Sequence, residues 1–186
     1  MRSIAAKIQA NLSLGVFLPI LAVALATTWY GLWPSLEHFV RLTGGSRFVD
    51  MQPALTPSTL LDQIRSYSPD TVHYYLWWSL FDLAWPFMTY TAMLFMTAWL
   101  LRFLSPTWQG RFWLFVAVAY TTVLLDWAEN LGFSSLVIGL PAEPLWIAQL
   151  AVLCHRGKLF FNMVFNAGFV GLLAGVIAAR VRGRYT

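Results

Sequence analysis

Between Lys7 and Glu37 the chain runs for 29 positions without a charged side chain. Its stretch Leu12 to Trp33 exceeds the roughly 20 apolar residues that carry a helix across about 30 Å of hydrocarbon. A segment of that kind has no stable place in water as a lone surface helix, so the bilayer becomes the reference solvent for the remaining 186-residue sequence. Composition agrees: 59% of residues are hydrophobic and 11% charged, against about 25% charged in an ordinary soluble domain. The formal charge of +4 does not point to nucleic acid, because the basic residues flank apolar runs, where they anchor helix ends. The lone Cys154 excludes an internal disulfide and any multi-cysteine metal site.

Four spans are expected, at about 12–33, 80–103, 112–140 and 159–179, in one all-α membrane domain covering 1–186. Ala24-Leu25-Ala26 resembles a signal-peptide cleavage site, but the apolar run continues into Trp29, Tyr30 and Trp33, which suits a retained anchor with an interfacial aromatic end. With the N-terminus inside, Arg2, Lys7, Arg102, Arg111, Arg180, Arg182 and Arg184 face the cytoplasm, and Arg41, Arg47, Arg65, Arg156 and Lys158 lie outside. The balance favours a multi-pass inner-membrane protein with both termini cytoplasmic. Segments 34–70 and 141–157 are then external loops.

The first loop is expected to be partly helical. Thr56-Pro57 reads as a helix cap followed by an N1 proline, with Leu60, Leu61, Ile64 and Tyr67 at helical spacing, and Ser68-Pro69-Asp70 repeats the start signal for a helix leading into span two.

Polar side chains inside the apolar spans carry the functional expectation. Asp126, Glu129 and Asn130 in span three share one helical face with Thr122. Acids at membrane depth are costly and mark functional sites, and two acids three residues apart call for a cation or a shared proton between them. In span two, Tyr75, Ser79, Asp82 and Pro86 share a face, and Pro86 deprives the Asp82 carbonyl of its helical partner. Lys158, Asn162 and Asn166 recur every four residues into span four. Tyr74, Tyr75, Trp77 and Trp78 read foremost as an aromatic belt, His73 as an external residue, and Cys154-His155 as a loop pair without significance. Gly171 and Gly175 read as a close-packing face, through which a homo-oligomer is expected.

At Tyr74-Tyr75, Asp82, Pro86, Asp126-x-x-Glu129-Asn130 and Lys158 the sequence resembles a group of small uncharacterised bacterial four-span membrane proteins, over about residues 70 to 180. The resemblance implies an architecture and no reaction. A looser similarity is to four-to-five-span sterol-isomerase-like proteins, which move protons on a lipid with intramembrane acids and a His; this chain departs from their pattern.

The expected site is an outward-facing pocket for a lipid or other amphiphile. Asp126, Glu129 and Asp82 are its expected acid–base residues, and Asn130, Lys158, Asn162 and Tyr75 its ligand contacts. The same oxygens suit Mg²⁺ or Ca²⁺, but no metal-ligand spacing is distinctive, so neither metal nor cofactor is expected. Proton-coupled transport and a purely structural cluster are the competing readings.

Overall fold

The computed structural model describes residues 1–139 and 144–181, which are helical apart from turns and short connections. An amphipathic helix α1 (Arg2–Ala10) opens the chain. It was not anticipated, although Ala5, Ile8 and Leu12 bury at helical spacing and Arg2 lies over the Trp113 ring at 5.4 Å. Helix α2 (Leu14–Ala26) continues through a π-helical turn, Thr27–Leu32, into α3 (Trp33–Leu42). The widened turn has a local cause. Pro34 offers no N–H to the carbonyl four residues back, so the helix changes register just before it. There Gly31 meets the helix carrying Phe81 so closely that a Cβ would stand 2.9 Å from Phe81 Cζ, and Trp85 Nε1 donates to Thr28 Oγ1 at 3.0 Å.

Gly44 and Gly45 end α3 with φ of 66° and 124°, a conformation that L side chains resist. Gly45 N–H donates to the Val40 carbonyl and Gly44 N–H to that of Arg41, the paired bonds of a Schellman stop. The reversed chain inserts Phe48 between Phe39 (centroids 3.8 Å apart) and Trp78 (4.6 Å). That ring stack fixes the short 3₁₀ turn Val49–Met51 above the interior. Helix α4 (Pro57–Arg65) follows from the cap expected at Thr56, which Thr59 completes as a capping box, and buries Leu60, Leu61 and Ile64.

Helix α5 (Pro69–Leu101) starts at the Ser68 cap, and the one-turn α6 (Pro106–Gln109) connects it to α7 (Phe112–Ile138). The last helix, α8 (Leu145–Val181), corrects the expected external loop at 141–157: from Leu145 on the chain is helical, and residues 140–143 lie outside the described set. Arg156 and Lys158 sit within this helix, and Lys158 points into the protein, where it is bonded to Asp126. Arg182 and Arg184 also fall outside the described residues.

Helix α7 packs against both α8 and α5, and α5 also against α2. At the α7–α8 crossing a Cβ on Gly132 would approach that of Ala151 to 2.8 Å. Leu14–Leu42, Pro106–Ile138 and Leu145–Val181 are long and apolar enough to cross a membrane. Helix α5, expected to hold span two, is 33 residues long but is not among the three described helices apolar enough to cross a membrane. Leu18, Leu25, Trp29, Leu124, Met163 and Val170 are among many large apolar side chains that remain exposed, a surface suited to lipid.

Two apolar clusters divide the interior. At the end bearing the long loop, Phe39, Phe48, Ile64, Tyr75, Phe133 and Leu136 pack together. Leu94, Leu101, Phe112, Val116, Ala119 and Phe165 fill the end near the N-terminus. Along α5, α7 and α8, Asp82, Asp126, Glu129, Asn130, His155 and Lys158 lie between them.

Candidate functional site

Helical periodicity puts Asp126, Glu129 and Asn130 on one face of α7, and packing of α5 and α8 against that face supplies their partners. Asn130 Nδ2 donates to Asp82 Oδ2 on α5 at 2.8 Å and to Asp126 Oδ2 at 3.3 Å. Only the NH₂ end of an amide can bridge two carboxylates, so this orientation is fixed by chemistry. Lys158 Nζ lies 3.0 Å from Asp126 Oδ1, also bonds Glu129 Oε1, and reaches the Asp50 carbonyl at 3.5 Å. The cation called for between the two acids is therefore Lys158. All of these acids are at most 6% exposed, and Glu129 is fully buried.

Behind Glu129 stands His155, fully buried as well. Its Nδ1 is 3.0 Å from Glu129 Oε2 and its Nε2 is 2.9 Å from the Gln52 carbonyl. A carbonyl only accepts, so Nε2 carries a hydrogen. Nδ1 and Oε2 must then share a further proton, either as imidazolium with carboxylate or as neutral imidazole with carboxylic acid. The Glu129–His155 pair thus stores one proton in both descriptions.

A cavity of about 360 Å³ opens beside this network, lined among others by Asp50, Asp82, Asp126, Lys158 and Asn162. Glu129 and Asn130 stand behind its wall. Asn162 Oδ1 accepts from Tyr90 Oη and from Asn166 Nδ2, each at 2.8 Å. Beside Pro86, Trp127 Nε1 donates to the Leu83 carbonyl at 2.7 Å, a further tie between α7 and α5.

No family model, curated protein or solved structure matches this chain. The site is therefore read from its own chemistry. Of the anticipated residues, Asp82, Asp126, Glu129, Asn130 and Lys158 meet in one network and Asn162 joins the cavity wall. Tyr75 lies elsewhere, buried among Phe39, Phe48 and Tyr67. Trp78 is in that core too, leaving Trp77 as the exposed member of the pair. Gly171 and Gly175 have open space before them, with no atom within 4 Å of an added Cβ.

Asp50 and His155 are the residues that sequence reasoning passed over. His155 extends the Lys158, Asn162, Asn166 stripe by one helical step, a signal hidden by reading 141–157 as a loop. Asp50 has no periodic signal, since the Phe48 ring stack places it. Burial raises its carboxyl from the usual 3.8 to about 6, with Glu129 and Asp126 pushing upward and Lys158 downward. Its Oδ1 is buried without a hydrogen-bond partner. Among the described residues no three or more His, Cys, Asp or Glu side chains are grouped to hold a metal ion.

Proposed function

We propose that the chain crosses a bacterial-type inner membrane four times, with α5 as the second span and both termini cytoplasmic, and that its outward-opening cavity binds a lipid or other amphiphile and transfers a proton on it. The observation that carries this reading is Lys158 joining the cavity carboxylate Asp126 to the proton-holding Glu129–His155 pair. Asp126 faces the cavity and is the group that meets the ligand, taking or giving the proton. Glu129 and His155 are positioning residues that hold a reserve proton and connect to Asp126 through Lys158. Asp82 and Asn162 orient the ligand, and Asn130 fixes Asp82. Apolar wall residues such as Phe165 and Met93 suit an alkyl chain.

Two features weigh against the competing readings. Beyond Thr122 the described interior is filled mainly by Leu94, Ala98, Val116 and Ala119, with Thr97 as the buried polar side chain there, which disfavours a continuous polar path for transport. A merely structural cluster has no need of a cavity bordered by carboxylates.

The test compares lipid extracts of wild-type, deletion, D126N and E129Q cells by mass spectrometry. An altered lipid species in the deletion, restored by wild type but not by folded D126N, is expected. Identical lipid profiles in all four strains overturn the assignment.

A further inference from the structure

Four carboxylates, Asp50, Asp82, Asp126 and Glu129, meet two basic side chains, Lys158 and His155. The bases are already engaged: Lys158 spans Asp126 and Glu129, and His155 serves Glu129 and Gln52. Asp82 and Asp50 are left over. The Asp82 carboxylate accepts from the neutral Asn130 amide, Asp50 Oδ1 is buried without a hydrogen-bond partner, and both residues line the same cavity, one on α5 and one on the loop turn. Trp85, Tyr90 and Phe165 rings complete the wall.

A buried carboxylate oxygen without a donor is costly, and a site that sets such an oxygen, on Asp50, beside an Asp82 carboxylate bonded by a neutral amide favours a ligand that brings positive charge and N–H or N–CH₃ hydrogens. An anion is disfavoured for the same reason, since Lys158 is the cationic lining residue and its charge is already shared by two acids. Among the described residues no three His, Cys, Asp or Glu side chains are grouped to hold a compact metal ion. Aromatic rings beside carboxylates are the surroundings in which organic ammonium groups are held, through ion pairing and attraction to the ring quadrupole.

We propose that this cavity recognises an ammonium group, held between Asp50 and Asp82 against the aromatic wall. The inference rests on the amphiphile reading above and names the headgroup chemistry: an amine-bearing lipid headgroup, with the free soluble amine as the alternative source. A cation there pairs the two leftover acids and leaves Asp126 beside the ligand, free to exchange a proton with it.

The test uses the full chain in neutral maltoside micelles at about pH 8, above the Asp50 carboxyl at about 6. Decylamine and decyltrimethylammonium are compared with decanol and decyl sulfate, and separately with ethanolamine and choline, following thermal unfolding and Trp fluorescence. Saturable protection by the two decyl ammonium probes is expected, weakened about tenfold or more in D50N and in D82N. Because the charge series is run on the wild-type chain, it stands even if a variant fails to fold. Equal protection by decanol or decyl sulfate overturns the ammonium inference and leaves the amphiphile reading intact. Full protection by choline or ethanolamine alone keeps the ammonium and overturns the amphiphile. Protection by no probe overturns both.

Discussion

Asn130 Nδ2 on α7 lies 2.8 Å from Asp82 Oδ2 on α5 and ties the two helices together at the level of the acids. The amide satisfies two carboxylates without adding charge. Asn130→Asp would set a third acid between them, and the folded state should lose about 3 kcal/mol or more. Thermal unfolding in detergent is the measurement. Acidification should partly restore N130D, because protonating the crowded acids removes the repulsion.

Lys158 makes a different prediction. K158M leaves Asp126 and Glu129 buried without their cation, which should cost about 3–5 kcal/mol. Adding D126N and E129Q removes the uncompensated charges, so the triple variant should regain most of its unfolding temperature while remaining inactive in the lipid assay. A triple variant that stays as unstable as K158M would show that Lys158 acts through packing.

His155 fastens the long loop to α8 through the Gln52 carbonyl. H155F should therefore loosen the segment around Gln52 before it affects α7 or α8. Hydrogen exchange near Val49 to Leu55 should rise by about tenfold, as loss of one buried bond of about 1–2 kcal/mol implies. Unchanged exchange there would remove the anchoring role.

Asp50 carries the pH dependence. Its carboxyl sits at about 6 in the fold against an ordinary 3.8, facing Lys158 on α8, Glu129 and Asp126 on α7, Asp82 and Tyr75 on α5, and Tyr67. A raised carboxyl binds its proton more tightly in the folded than in the unfolded chain, so its effect on stability falls as pH rises from about 4 to about 6 and then levels. D50N should flatten that decline and be the more stable protein at pH 7 by on the order of 3 kcal/mol. Ammonium binding should run the opposite way, lost as pH falls through about 6. Unfolding and binding titrations of wild type and D50N measure both.

The α7–α8 crossing is tight at Gly132, where a Cβ would come within 2.8 Å of Ala151 Cβ. G132V should destabilise the chain by about 1–3 kcal/mol, and A151G should relieve part of that loss. Unfolding of the two single variants and the double variant gives the coupling.

Local periodicity fixed much of this protein before any packing was known. The apolar runs, the Thr56 and Ser68 caps and the Asp126, Glu129, Asn130 face are properties of chain segments shorter than one helix, and the described helices carry them as read. Tertiary structure decided what those faces meet. The Phe48 stack carried Asp50 over the acids, and extension of α8 back to Leu145 turned His155 inward. Packing also withdrew Tyr75 into an aromatic core away from the cavity. Spacing along a helix reports which side chains share a side, but the partner across a gap depends on loops and crossing geometry contributed by residues distant in the chain.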